Sequence, residues 1–206
     1  CSAGLPPASL VSTAEDEKAR RREDEDAPSG AGDARAVVLE SFLTHYYAAR
    51  PVNATFTGMH AHDHRLPDWS AAGVERAIAE MRAFRARLAP HVAAPLDTAI
   101  ARHDWLGVDL ALADSFLEIQ LAELEGRHFQ RGNPSLVIGE ALFAIVSLMI
   151  RDFAPVDQRA RMMRARLAQL PRFLASALAV VAEAPVPPTW AEKALKECDG
   201  GRALLG

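Results

Sequence analysis

Apolar residues recur at steps of three and four along most of the chain, and this period predicts amphipathic helices. A first helix is expected from an N-cap at Asp33 to about Arg50, because Pro51 disfavours helical geometry in the residue before it. Asp68 or Ser70 then caps a second helix, whose period is the clearest in the chain. Its apolar positions are Val74, Ala77, Ile78, Met81, Phe84 and Leu88.

Four further helices are predicted downstream. A long third helix covers about residues 96–124, and an apolar fourth helix covers about residues 136–151. A fifth helix begins near Pro155 and contains Pro171, which is expected to kink or split it, and a last helix covers residues 190–205. The inward positions of the third helix are predicted to be Ile100, Leu106, Leu110, Leu117, Leu121 and Leu124. Those of the fifth are Met162, Met163, Leu167, Leu170, Leu174, Leu178 and Val181. No stretch alternates with period two between hairpin turns, so the chain is predicted to be all-α, with antiparallel, bundle-like packing.

Residues 1–32 show no sustained apolar period. A cluster of mixed charges at residues 15–26 precedes Ala-Pro-Ser-Gly-Ala-Gly, which is a flexible linker composition. We therefore predict a disordered tail over residues 1–32 and a helical domain over residues 33–206. That domain is expected to be the amino-terminal part of a larger one, because the apolar side chains of its last helix need cover from a following element.

The overall composition excludes some classes of protein. A formal net charge of −4 argues against a nucleic-acid-binding protein, which usually has a strong basic excess. The longest apolar run, residues 136–150, is interrupted by Glu140 and is shorter than the roughly 20 residues that a membrane-spanning helix needs. Contact with a membrane is therefore expected only through a lipid.

Cys1 is the candidate for that lipid. The chain opens with Cys-Ser-Ala-Gly and a polar run, which is typical of a bacterial lipoprotein after its signal peptide has been removed. The alternative is an arbitrary fragment boundary. A lipid on Cys1 predicts an exported protein that is anchored to a bacterial membrane or periplasmic. The other cysteine, Cys198, forms no disulfide framework or zinc spacing with it.

Residues 57–69 are the strongest candidate for ligand contact, since they hold three of the seven histidines. His60, His62 and His64 alternate, and in an extended loop residues two apart point the same way, so the three imidazoles could converge on a metal. No fourth ligand follows at a characteristic offset. The competing interpretation is that the aspartates cap turns while one histidine fills a gap between helices, and we assign no metal ligand.

The usual catalytic motifs are missing from the sequence. It has no Gly-x-Ser-x-Gly elbow, no His-Glu-x-x-His pair and no phosphate-binding loop. His103 and Asp104 are interpreted as a solvated or capping pair and not as a catalytic dyad. No catalytic residue is therefore assigned, and the chain alone is predicted to have no peptidase activity.

Several segments, taken in order, resemble the amino-terminal half of one bacterial family, the domain of unknown function 885 family. The resemblance covers roughly residues 36–206 and depends on the order and spacing of the segments. These are Ser41-Phe-Leu with Tyr47, Ala54-Thr55-Phe56-Thr57-Gly58 after Pro51, Asp63-His64-Arg65-Leu66-Pro67-Asp68 after His60, Arg131-Gly-Asn-Pro134, Arg151-Asp-Phe-Ala-Pro155, and Leu170-Pro171 with Phe173-Leu174.

The resemblance implies a function that the residues alone do not. Members of this family are largely helical, often exported or lipid-anchored, and similar to zinc metallopeptidases, because their carboxy-terminal half carries a His-Glu-x-x-Pro-Gly-His type sequence. No such sequence occurs in this chain. The resemblance therefore implies no cofactor here and a zinc ion in the carboxy-terminal part.

We accordingly expect this chain to form the non-catalytic, amino-terminal wall of a cleft in a zinc-dependent hydrolase. Its expected partners are the carboxy-terminal half of the same protein and a peptide substrate. The residues expected to contact that substrate are His60, His62, Asp63, His64 and Arg65. The alternative is a membrane-tethered helical binding or structural module without enzymatic activity, which loses support if the chain exposes a large apolar face.

Overall fold

The all-α prediction is confirmed. The computed structural model describes residues 30–92, 94–126 and 132–205, and this part of the chain contains α-helices and two 3₁₀ turns but no strand. The helices are α1 (Gly30–Ala49), α2 (Pro51–Thr57), α3 (Ala71–Leu88), α4 (Leu96–Ala101), α5 (Trp105–Glu125), α6 (Pro134–Val146), α7 (Val156–Val181) and α8 (Pro188–Leu205). The 3₁₀ turns are His60–His62 and Ala89–His91. None of the helices in these ranges is long and apolar enough to cross a membrane.

Two apolar cores hold the helices together. The first lies between α1, α3 and α5, where the stripe predicted for α3 packs around Phe42, Leu110 and Leu117. The second lies between α2, α6 and α7, around Val52, Val137 and Phe173. Helix α8 packs on α6 and extends the second group. The loop between α2 and α3 contributes Leu66 to the second core, so it is fixed to the domain at its centre.

The start of the domain differs from the prediction in two ways. Helix α1 already begins at Gly30, so Asp33 lies inside it and is not its N-cap. The rest of the predicted tail, including Cys1, lies outside the described residues. Pro51 does end α1, but it also opens α2 as its first residue, in a segment for which no helix was predicted. Seven residues are too few to show a helical period.

The predicted third helix is two helices. His103 has a left-handed backbone (φ 55°), which interrupts the helix between α4 and α5, and Ile100 is 48% exposed instead of inward. The Asp104 side chain accepts a hydrogen bond from the Gly107 N–H at 3.0 Å and caps α5, as its interpretation as a capping residue predicted. The Ser70 hydroxyl caps α3 in the same way, through the Gly73 N–H at 3.1 Å.

Helix α7 also departs from its predicted pattern. It runs from Val156 to Val181 through Pro171 without a split. Leu167, predicted to face inward, is 41% exposed, while the neighbouring Arg166 is fully buried. The helix is therefore rotated about its axis relative to the predicted apolar stripe, and this rotation places a guanidinium group in the centre of the domain.

Candidate functional site: a charged central cleft

A buried aspartate organises the histidine-rich loop. Asp63 is 1% exposed, and its Oδ1 accepts a hydrogen bond from Thr55 Oγ1 at 2.6 Å. Its Oδ2 lies 3.0 Å from His60 Nδ1. The His60 ring in turn stacks on Phe153, with ring centroids 3.9 Å apart and planes 8° from parallel. The aspartate therefore connects the loop to α2 and to the segment before α7.

Arg166 completes this polar network from α7. Its Nη1 donates to the Ala144 carbonyl at 2.6 Å and to Ser147 Oγ at 3.1 Å. Its Nη2 donates to Thr55 Oγ1 at 2.6 Å and to the Pro51 carbonyl at 3.2 Å. Burial lowers the pKa of Arg166 to about 10, against the opposite effect of the nearby carboxylates, so the side chain stays charged at neutral pH.

A cleft of about 810 Å³ opens beside this network, where the two cores meet. We call it the central cleft; its walls come from α1, α2, the loop before α3, α3, α5, α6 and α8. Its aromatic lining residues are Tyr46, Trp69 and Phe143. Its charged or titratable lining residues are His45, Arg50, Arg65, Asp68, Arg76, Glu80, Glu140, Lys193 and Glu197.

Most of these charges are paired with one another or with neighbours. Three pairs stand on the walls: Asp68 with Arg76 at 2.5 Å, His45 with Glu80 at 3.5 Å, and Lys193 with Glu197. Arg50 donates to Gln120 Oε1 at 2.6 Å, and its guanidinium carbon lies 5.0 Å from the Tyr46 ring centroid and 4.8 Å from that of Phe116. These groups are held in fixed positions around the opening.

Glu140 differs from the other lining residues. It is the one charged side chain in the apolar run of residues 136–150, and α6 places it, half-buried, on the wall of the cleft. Burial raises the pKa of Glu140 to about 7, although the positive charges of Arg166 and Arg50 oppose this shift. Within the described part of the chain, no hydrogen bond or ion pair to its carboxylate is found.

A second polar cluster on the cleft wall has a structural explanation. Ser135 Oγ accepts a hydrogen bond from Lys193 Nζ and donates one to Glu197 Oε2, both at 2.7 Å. A serine beside a lysine can act as a nucleophile when the amine is free to take its proton. Here the ammonium group is paired with Glu197, so the cluster is not arranged for that chemistry. It joins α8 to α6.

The residues predicted to contact substrate are dispersed over the loop. Of the five, Arg65 lines the central cleft, while Asp63 is buried and His60 is half-buried against Phe153. His62 is half-buried and His64 is exposed. His60 and His62 lie in a 3₁₀ turn and not in an extended strand, so the alternating histidines do not share a direction. Contact with substrate stays a prediction for all five.

The structure adds residues that sequence reasoning did not select. Arg50, Asn53 and Glu140 line the cleft and were not among the predicted contacts. The sequence signal for Glu140 was its position as a lone charge in an apolar run. No group of three histidine, cysteine or acidic side chains that could hold a metal ion is found in residues 30–92, 94–126 and 132–205.

Comparison with known proteins identifies the family. The model of one family, described as a bacterial protein of unknown function (DUF885), matches residues 51–205. No curated protein and no solved structure matches the chain. The matched range begins at α2 and includes the histidine-rich loop, Glu140 and Arg166. This match extends over most of the sequence, and the chain therefore belongs to the DUF885 family.

Proposed function

We propose that this chain forms one wall of a substrate cleft in a DUF885 protein that hydrolyses peptides with a zinc ion held in its carboxy-terminal part. The observation that carries the proposal is the central cleft itself. Its volume of about 810 Å³ falls in the range of about 300–1,000 Å³ that is usual for ligand-binding pockets. It also combines aromatic side chains with a few fixed polar groups, as such pockets do.

The charges on the walls favour a peptide over a polyanion. Four cationic side chains line the cleft (Arg50, Arg65, Arg76 and Lys193), and four anionic ones balance them (Asp68, Glu80, Glu140 and Glu197). A nucleic-acid surface needs a clear basic excess. A peptide instead offers N–H donors, carbonyl acceptors and, at its ends, one charge of each sign, all of which find complements here.

The hydrolytic step is assigned elsewhere. The described residues contain no set of ligands for zinc, so no step of the reaction is derived for this chain. Leu195 and Leu204 on α8 are 67% and 60% exposed. Nine residues separate them, which puts them on opposite sides of the helix, and single exposed leucines are ordinary on a protein surface. They therefore do not distinguish the wall of a larger cleft from an independent helical module.

A glycine substitution tests the cleft without changing any charge. A Cβ atom at Gly139, which lines the cleft on α6, meets no other atom within 4 Å, and the same is true of Gly200 on α8. We expect isothermal titration calorimetry to detect saturable binding of tri- to pentapeptides, with free or blocked ends, to the purified chain. Gly139→Leu should sharply weaken binding by narrowing the cleft, while Gly200→Leu should leave it unchanged.

Two outcomes contradict the proposal. If no peptide of either kind binds, or if Gly139→Leu binds as well as the unaltered chain, the cleft is not a peptide site. Hydrolysis of these peptides by the purified chain with added zinc would show that the catalytic step does not belong to another part of the protein.

We also propose, from the sequence, that Cys1 carries a lipid and that the protein is exported and membrane-anchored. Mass spectrometry of the native amino terminus tests this directly. A diacylglyceryl adduct on Cys1 is expected, and an unmodified cysteine in protein from membranes would refute the proposal.

A further inference from the structure

The two lining charges without partners have opposite signs. Among the residues that the structure describes, Glu140 and Arg65 are the charged groups of the central cleft with no hydrogen bond or ion pair to their side chains. Every other charged lining group has such a partner. Unpaired charges on the wall of a cleft are the ones that remain available to a ligand.

Glu140 is suited to a cation. It belongs to a row of alternating charges, Asp63, Arg166, Glu140, Arg50 and Glu123, in which each charge acts on its neighbours. With Glu140 ionised, the three carboxylates and two guanidinium groups leave this row with one excess negative charge, and with Glu140 protonated the row is neutral. Within the row, Asp63 accepts hydrogen bonds from Thr55 and His60, and Glu123 accepts one from Gln120, whereas the carboxylate of Glu140 accepts none.

A half-buried carboxylate without hydrogen bonds is costly, and an ammonium group that donates to it would remove that cost. The pKa of about 7 for Glu140 is the expression of this cost, since the side chain retains a proton to avoid an unpaired charge. A bound ammonium group would favour the ionised form, so binding should release the proton.

Arg65 is suited to an anion. It is exposed, and it comes from the loop before α3, whereas Glu140 comes from α6. The loop backbone is fixed beside it, because Gln169 on α7 donates to the His64 carbonyl and accepts from the Leu66 N–H. A guanidinium group presents a planar pair of N–H donors that matches a carboxylate.

We propose that the central cleft selects short peptides with both ends free, Glu140 receiving the terminal ammonium group and Arg65 the terminal carboxylate. This inference rests on the proposed function, because it assumes that the cleft receives peptides. The size of the cleft suits a short peptide, and its paired charges and aromatic side chains are left to contact the residues between the two ends.

Three peptides distinguish the contribution of the terminal ammonium group to binding from that of the terminal carboxylate. Calorimetric titration of the full chain with trialanine, N-acetyl-trialanine and trialanine amide should give the tightest binding for trialanine. Each block should weaken binding about tenfold or more, the usual effect of losing a hydrogen bond between charged groups. Glu140→Gln should remove the preference for a free amino group and keep that for a free carboxylate, and Arg65→Ala should do the reverse. Glu40→Gln and Arg102→Ala change exposed charges outside the cleft and should alter neither preference.

A measurement on the unaltered chain avoids any effect of substitution on folding. Titrations at pH 7 in two buffers of different ionisation enthalpy give the number of protons released on binding. Because a group with a pKa of about 7 is half protonated at this pH, trialanine should release up to about half a proton, and N-acetyl-trialanine should release none.

The outcomes distinguish this inference from the proposed function. If free and blocked peptides bind equally well, or if binding of trialanine releases no proton, the assignment of the ends is overturned while the cleft remains a peptide site. If none of the three probes binds, and longer peptides do not bind either, the proposed function fails together with this inference.

Discussion

Replacing Glu140 with glutamine should remove one specific pH dependence of stability. The pKa of this carboxyl group is raised from an ordinary value of 4.5 to about 7, mainly by burial. The folded chain therefore holds this proton more tightly than the unfolded chain does. Between pH 4.5 and 7 the unfolded state loses the proton first, so the free energy of unfolding falls as the pH rises through this window. Below it and above it, this group contributes no slope.

The size of the effect follows from the two pKa values. A tenfold difference in proton affinity corresponds to about 1.4 kcal/mol, so the difference between 4.5 and 7 corresponds to an upper limit of about 3 kcal/mol. This is a large fraction of the stability of a typical domain. Glutamine has nearly the shape of the protonated side chain but cannot ionise. The Glu140→Gln chain should therefore not show the decrease in the free energy of unfolding that Glu140 causes between pH 4.5 and 7.

The assay is urea unfolding followed by circular dichroism at several pH values from 4.5 to 8. Other carboxyl groups also titrate in the folded chain, among them Asp68 and Asp157, whose pKa values are lowered by hydrogen bonds from Ser70 and Arg161. Subtracting the unfolding free energies of the two chains at each pH cancels these shared contributions. The remaining difference should favour the glutamine chain increasingly up to about pH 7 and then level off.

Parallel stability curves for the two chains would refute the reasoning, because they would show that Glu140 ionises in the folded state as readily as in the unfolded one. A difference that grows toward low pH would also contradict it. Glu40→Gln on the exposed surface of α1 serves as the matched control and should give parallel curves.

Four further substitutions test the packing around the loop and the helix ends by urea unfolding. Arg166→Met should cost about 3–5 kcal/mol, since it removes a buried charge near Asp63 and leaves four buried acceptors without their donor, and a cost below about 1 kcal/mol would contradict a central role for this network. Gly58→Ala should destabilise the chain by about 1 kcal/mol, because φ is 94° at this position. Gly200→Ala, inside α8, should stabilise the chain by up to about 1 kcal/mol. A stabilising Gly58→Ala together with a destabilising Gly200→Ala would contradict the backbone conformations of the two glycines. Ser70→Ala should cost about 1 kcal/mol through the lost N-cap of α3, and an unchanged midpoint would show that the cap is replaceable.

The fold was predictable where a helix buries one clear face. The apolar stripe of α3 packs into the first core as its period indicated, because a period sustained over several turns leaves one orientation that buries it. Short elements gave no such signal. Helix α2 has seven residues, and the break at His103 interrupts a sequence whose apolar period continues on both sides.

The site was less predictable, because it depends on contacts between distant positions. Arg166 and Thr55 are 111 residues apart, and no local pattern places one beside the other. The apolar stripe assigned to α7 placed Leu167 inward and left Arg166 unnoticed, since the segment around it also contains Arg159, Arg161 and Arg164 and nothing local distinguishes the buried arginine from its neighbours. The possible convergence of three histidines on a metal, from which no ligand was assigned, required an extended backbone, whereas His60–His62 form a 3₁₀ turn.

The position of Arg166 explains how the histidine-rich loop and the cleft belong to one site. The guanidinium group is under the influence of Asp63 from the loop and of Glu140 from the cleft wall, and both carboxylates oppose the effect of its burial. Arg166 is therefore the charge that faces both the loop, through Asp63, and the cleft wall, through Glu140, although among the predicted contact residues only Arg65 lines the cleft.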